Sequence, residues 1–232
     1  MLSFLLEYLS GSIEIADLLL IIGVDIFVTL CCLPVHECAH AWMAVKLGDS
    51  TAKLQGRITL NPLAHLSLTG TLMMLVFGFG YAKPVSVNIR NFKNRKVYFA
   101  LTALAGPLSN ILLSVIFLVI AYLFSVAGIF SDASIIQIVV NFFYNAAYFN
   151  VVLAVFNLLP VPPLDGSRLV TMIIPDKYYY KLLALERYFV YILFALIYFF
   201  NRILDWSPIT VVAEFVFNCI DFVISLPFNL IF

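Results

Sequence analysis

The residue types best suited to chemistry lie in one short stretch, Cys31–Lys46, which reads CCLPVHECAHAWMAVK. Within it, His36 and His40 are four residues apart, so on a helix their imidazoles lie one turn apart on the same face. Two imidazoles placed in this way can hold one zinc ion. Glu37 lies to the side of the pair, where zinc hydrolases carry the base that removes a proton from water. The alternative is an interfacial helix with two hydrogen-bonded structural histidines.

The composition places these residues in a membrane protein. Of the 232 residues, 63% are hydrophobic and 11% are charged, whereas a soluble domain carries about 25% charged residues. Lipid offers no partner to an open backbone, so we predict an all-α polytopic membrane protein. Lys+Arg and Asp+Glu both number 13, which argues against a nucleic-acid partner. The N-terminus lacks the basic region and cleavage site of a signal peptide, so we expect it to be retained.

About five transmembrane helices are predicted to position the histidines. The first runs from about residue 13 to residue 47 and carries the HExxH near one end of its crossing, where we expect Pro34 to bend the helix. Met1–Ser10 is too short to span and is expected to lie at the interface. The other predicted crossings are Val97–Phe130, Ile135–Phe156, Leu182–Phe200 and Ile209–Leu226.

The segment between the first two crossings is predicted to stay on one side of the membrane. Leu66–Gly80 is short for a crossing, and basic residues flank it on both sides, so we predict a re-entrant hairpin with both ends in the cytoplasm. Residues 51–60 and 82–90 are predicted to pair as a small membrane-surface β-sheet. We expect one domain over residues 1–232, with a core of about 13–175 and C-terminal helices in 176–232.

Two histidines leave a catalytic zinc one protein ligand short. The predicted topology returns the proline-rich turn 157–166 to the same membrane face, and Asp165 is the one carboxylate in it. We therefore predict Asp165 as the third ligand, with a helix N-cap as its alternative role. His65 is a competing ligand, although a lone histidine is more often structural. Asp25, in mid-span, is either functional or bonded to a neighbouring helix.

The HECAH stretch and the later LDG turn together resemble the site-2 proteases, zinc metalloproteases that cut within the membrane. The likeness extends over about residues 30–175, through GDSTAKLQGRITLNPLAHLSLTGT, KPVSVN, AGPLSN and NLLPVPPLDG, and is to the compact form without a PDZ insertion. This sequence departs from the pattern at Pro34 and after His65, where relatives often have an acidic residue. The resemblance implies one Zn²⁺ ion held by His36, His40 and Asp165, with Glu37 as catalytic base and Asn157 positioning the substrate or the oxyanion.

The resemblance also implies what the protein acts on. We expect an endopeptidase of the cell membrane, multi-pass, with its active site toward the cytoplasmic side and Asn110 near that site. Its partners would be a transmembrane protein or peptide substrate and the lipid bilayer, with the substrate held extended along an edge of the β-sheet. The oligomeric state is left open. The alternatives are an inactive scaffold of the same fold, against which Glu37 argues, and a divalent-metal transporter, which needs polar groups reaching both faces.

Overall fold

The first long helix has the extent that the sequence predicted. The computed structural model describes residues 13–67, 83–128, 133–175 and 208–231, together with Tyr8, Gly11 and Gly70. Helix α1 runs over Ile15–Lys46, and a π-helical segment, Val28–Cys32, lies just before Pro34, where a bend was expected. Proline cannot donate the backbone bond of the preceding turn, and a π turn is one way in which a helix absorbs that gap.

Four helices account for the membrane-spanning part of the described chain. Helices α1, α4, α5 and α7 are each long and apolar enough to cross a bilayer, which confirms an all-α, multi-pass architecture. The predicted crossing Leu182–Phe200, most of the predicted hairpin Leu66–Gly80 and most of Met1–Ser10 lie outside the described residues. After α1, the described helices are α2 Thr51–Leu54, α3 Pro62–His65, α4 Arg95–Gly128, α5 Ala133–Asn157, α6 Gly166–Ile173 and α7 Pro208–Ile231.

The predicted β-sheet is wrong for the part of the chain that can be described. Residues 51–54 form α2, residues 83–88 have no regular structure, and a 3-10 turn covers Ile89–Asn91. The β-branched residues of both segments favour strands, but hydrogen bonds to Asp49 prevail. The buried Asp49 carboxylate accepts the backbone N–H of Thr51 at 3.1 Å and that of Asn88 at 2.7 Å. These N–H groups are therefore not available to a strand ladder.

Small side chains let the long helices pack closely in the half of α1 that precedes the histidines. Alanines of α5 and α7 share one buried cluster with larger side chains of α1, α4, α5 and α7, and small residues are how membrane helices gain close packing without help from water. This packing holds α1 against α4 and α5 in the part of α1 that precedes the HExxH motif. The buried cluster consists of Val24, Val28, Cys32, Phe117, Leu118, Ala146, Ala147, Val151, Ala213 and Phe217.

Candidate metal centre

The two histidines of α1 are buried and turned toward each other. His36 and His40 are 4% and 7% exposed, and their ring centroids are 4.6 Å apart. Their Nε2 atoms approach to 3.0 Å. The four-residue spacing therefore places both nitrogens on one face of α1, as the sequence predicted.

A carboxylate from a distant part of the chain completes the group. Asp165 follows the turn that links α5 to α6, and its Oδ2 lies 3.3 Å from His36 Nε2 and 3.1 Å from His40 Nε2. Zinc at bond lengths of about 2.0–2.1 Å in a tetrahedral site has ligand atoms about 3.3–3.4 Å apart. The three atoms thus lie nearly where three ligands of one zinc ion would lie.

Helix α4 holds both imidazoles from behind. His36 Nδ1 lies 3.0 Å from Oδ1 of the buried Asn110, and His40 Nδ1 lies 2.7 Å from the backbone oxygen of Thr102. Both partners are acceptors, so each Nδ1 must carry the proton of its ring. In the neutral imidazole, each Nε2 then presents a lone pair.

The result is three acceptor atoms facing one another at close range. With both rings neutral, the two Nε2 lone pairs and the carboxylate oxygen, separated by 3.0–3.3 Å, have no proton between them and repel one another. A cation at their centre turns this repulsion into attraction. Imidazole nitrogen and carboxylate oxygen are the ligand types that zinc takes, so the donor set fits zinc.

A glycine lets α4 approach the imidazoles so closely. A Cβ atom on Gly106 would lie 2.3 Å from His40 Nε2 and 2.6 Å from His36 Cε1. Real Cβ atoms do not approach heavy atoms within 3.0 Å, so any larger residue would displace both rings. Gly106 thus provides the space in which the two histidines meet.

A second glycine fixes the carboxylate. A Cβ atom on Gly166 would lie 2.1 Å from the backbone oxygen of Leu158, so the LDG turn packs directly on the chain that leaves α5. Asp165 occupies the N-cap position of α6, but its side chain makes no capping hydrogen bond. Its carboxylate faces the histidines instead, so the N-cap alternative is wrong.

Comparison with known proteins agrees with this geometry. The profile of peptidase family M50 matches residues 25–200, which is more than half of the chain and includes the histidines and Asp165. The chain belongs to peptidase family M50. It is a membrane zinc metalloprotease of this family, and the His–His–Asp group is its candidate metal centre.

Three relatives of this M50 chain support the assignment. It is 43% identical over 153 residues to the putative zinc metalloprotease YwhC of Bacillus subtilis, covering 66% of this chain and 70% of YwhC. A putative zinc metalloprotease of Methanocaldococcus jannaschii is 29% identical over 57% of this chain and 61% of its own length. The putative zinc metalloprotease Rip2 of Mycolicibacterium smegmatis is 30% identical over 62% of this chain and 56% of its own length. No solved structure matched the chain.

The other candidate residues of this M50 chain lie beside or outside the His–His–Asp group. Glu37 is buried beside the histidines, 9% exposed. His65 is also buried, but its Nε2 lies 2.9 Å from the Thr59 backbone oxygen and it is outside the His–His–Asp group. Asn157, the last residue of α5, donates its amide to the backbone oxygen of Leu153 at 3.0 Å. Asp25 lies outside the group as well.

Sequence reasoning missed the face of α4 that supports the M50 site. Thr102, Gly106 and Asn110 follow one another at four-residue intervals, so all three lie on one side of α4. The sequence pattern placed Asn110 near the site but indicated no role for Thr102 or Gly106. The four-residue spacing was the available signal, since a glycine between two polar residues on one helix face indicates a close neighbour.

Proposed function

We propose that this M50 chain is an intramembrane zinc endopeptidase that hydrolyses peptide bonds in or near transmembrane segments of membrane proteins. His36, His40 and Asp165 would hold the zinc ion. When bound, zinc would supply a Lewis acid that polarises the peptide carbonyl and lowers the pKa of water from about 15.7 to near 7. The observation that carries the proposal is the convergence of the three acceptor atoms at 3.0–3.3 Å within a chain of spanning helices.

The remaining steps belong to side chains of this protein. Glu37, buried next to the imidazoles, accepts a proton from the attacking water and returns it to the leaving amine, as a general base that becomes a general acid. The Asn157 amide stands at the start of the turn that carries Asp165. Released from its bond to Leu153, it donates to the oxygen on which negative charge develops.

The substrate segment must be unwound before it is cut. In a helix, each peptide carbonyl is shielded by its own backbone hydrogen bond, so an extended segment is needed at the metal. Asn, Gly or Pro in the substrate helix lowers the cost of unwinding. The described parts of 51–60 and 82–90 form no sheet, so the extended peptide is not assigned to an edge there.

Charge supports a cytoplasmic position for the site. Lys46 at the end of α1 stacks over the Trp42 ring at 3.7 Å, a pairing typical of the membrane–water boundary. The start of α4 lies at the same end of the molecule, because Asp49 binds Asn88 and Asn91. Positively charged loops favour the cytoplasm, and this end carries Lys46, Lys53, Arg57, Lys83, Arg90, Lys93, Arg95 and Lys96.

The organisation of the chain around this site stays a prediction. We propose one integral membrane domain over residues 1–232, of the compact type without a PDZ insertion. The proposed core is about residues 13–175, followed by C-terminal helices in 176–232. Substrate choice in such an arrangement depends on the membrane helix itself.

The direct test compares membrane proteomes of cells that carry wild type, Glu37→Gln or Glu214→Gln. Glu214 is an exposed glutamate of α7 and serves as the matched control. We expect a transmembrane fragment in wild type and in Glu214→Gln, and its loss in Glu37→Gln, with cleavage slowed by about 10²–10⁴-fold.

Two outcomes would contradict the proposal. Identical fragment patterns in wild type and Glu37→Gln would favour a scaffold of the same fold. Zinc uptake into vesicles by wild type, unaffected by Glu37→Gln and without proteolysis, would favour a transporter.

A further inference from the structure

The two imidazoles of the candidate metal centre are supported in different ways. His40 Nδ1 faces a backbone oxygen, that of Thr102, at 2.7 Å, whereas His36 Nδ1 faces a side-chain oxygen, Asn110 Oδ1, at 3.0 Å. A backbone oxygen is present whatever residue occupies position 102. The support of His36 depends on one particular side chain, and substitution can remove it.

The surroundings of Asn110 make this contact decisive. Asn110 is 1% exposed and His36 is 4% exposed, so water does not readily replace the amide. Gly106 stands one turn before Asn110 and lets α4 lie against both rings. Without the amide oxygen, nothing among the described contacts of His36 would hold its proton on Nδ1. The ring would be free to move its proton to Nε2, the atom that faces Asp165 and His40.

We propose that Asn110 is a positioning residue that accepts the Nδ1 proton of His36 and thereby presents the Nε2 lone pair to the zinc ion. The inference rests on the proposed zinc site and adds to it the side chain that selects the ring's tautomer and orientation. Outer partners of this kind typically contribute 10–100-fold to metal affinity.

Four variants separate this role from simple packing. Asn110→Leu keeps the volume and removes the acceptor, and Asn110→Ser stays polar but ends one atom short of Oδ1. Asn110→Asp keeps an acceptor oxygen in the same position. Asn145→Leu is the control, because Asn145 is an amide of a spanning helix whose hydrogen bond, among the described residues, stays within its own helix, at the Asn141 backbone oxygen.

The measurement is zinc affinity of the purified full chain in detergent, by competition with a chromophoric chelator, together with the visible spectrum of the Co²⁺-loaded protein. We expect about 10–100-fold weaker zinc binding and an altered Co²⁺ spectrum in Asn110→Leu and Asn110→Ser. Asn110→Asp should bind zinc at least as tightly as wild type, and Asn145→Leu should match wild type.

The outcomes distinguish this inference from the proposed function. The inference is overturned by wild-type affinity and spectrum in Asn110→Ser, or by a loss in Asn110→Asp equal to that in Asn110→Leu. Thermal unfolding of the metal-free variants identifies any that do not fold, and Asn110→Ser and Asn110→Asp then decide. Failure of wild type to bind one zinc ion would instead contradict the proposed function.

Discussion

Two aspartates of this protein stand beside a glycine at the end of a helix and have opposite surroundings. Asp49 follows α1 and accepts from Thr51 N, Thr51 Oγ1, Asn88 N and Asn91 Nδ2 at 2.5–3.1 Å. Asp165 precedes α6 and faces two imidazole nitrogens whose ring protons lie on the far side. One carboxylate is saturated with donors, and the other is surrounded by acceptors.

The difference shows which of the two is suited to a metal. A carboxylate that accepts four hydrogen bonds is already stabilised in its charged form and has no need of a cation. A carboxylate facing two lone pairs is stabilised by a positive charge placed between them. The surroundings, rather than the residue type or the adjacent glycine, therefore separate a structural aspartate from a candidate ligand.

The largest effect that distinguishes Asp165 from Asp49 is the loss of zinc binding expected in Asp165→Asn. Loss of the anionic ligand should weaken zinc binding by more than the 10–100-fold typical of a lost outer partner and should abolish cleavage. Asp49→Asn should retain one zinc ion per chain. Zinc titration of both purified variants checks this, and equal losses in the two would remove the distinction between them.

The second-largest effect is expected from Gly106→Ala. Its methyl group would overlap His40 Nε2 at 2.3 Å, so we expect displaced rings, weaker zinc binding and loss of cleavage. Gly23→Ala is the matched control, because among the described residues a Cβ there would meet only the Phe142 ring, at an ordinary 3.8 Å; it should keep zinc and gain up to about 1 kcal/mol in stability. Wild-type zinc affinity in Gly106→Ala would show that the close approach of α4 is not needed.

Asp49→Ala should separate stability from metal binding. Removing the buried carboxylate takes away the acceptor shared by Thr51, Asn88 and Asn91, whose donors are half-buried or exposed and can turn to water, so we expect a cost of about 1–3 kcal/mol in the free energy of unfolding. Zinc stoichiometry should stay at the wild-type value. Asp17→Ala, at an exposed position of α1, should change stability by only a few tenths of a kcal/mol. Equal thermal unfolding of the two variants would contradict the structural role of Asp49.

The smallest expected effect is the pH dependence of the stability that Asp49 contributes. Burial opposes the charge of Asp49, but hydrogen bonds from Thr51, Asn88 and Asn91 hold the pKa of its carboxyl below the ordinary 3.8. A depressed folded-state pKa means that the stabilisation is full above the unfolded value and is lost as pH falls through the folded value. The stability difference between wild type and Asp49→Asn should therefore be constant above about pH 5 and shrink below pH 4. A difference that grows on acidification would have the wrong sign.

The sequence predicted those features that depend on local spacing or on long apolar runs. His36 and His40 lie on one face of α1, as their four-residue spacing predicts. The long apolar runs form α4, α5 and α7. Asp165 could be chosen because the predicted topology left one carboxylate on the right face. These features need no knowledge of which distant side chains meet.

The errors and omissions arise from contacts between distant segments. The strand prediction for 51–60 and 82–90 failed because Asp49 binds Asn88, which lies 39 residues further along the chain. The contact between Asn110 and His36 spans 74 residues, and the sequence gives no sign of which polar groups of two helices will meet. The backbone oxygen of Thr102 carries no sequence signal at all.

Zinc K-edge X-ray absorption of the purified protein tests the central claim most directly. We predict one zinc ion per chain, with two imidazoles and oxygen ligands at about 2.0–2.1 Å, and loss of this spectrum in Asp165→Asn but not in Asp49→Asn. A sulfur shell at about 2.3 Å, as Cys38 within the HECAH stretch would give, or a spectrum that Asp165→Asn leaves unchanged, would contradict the account.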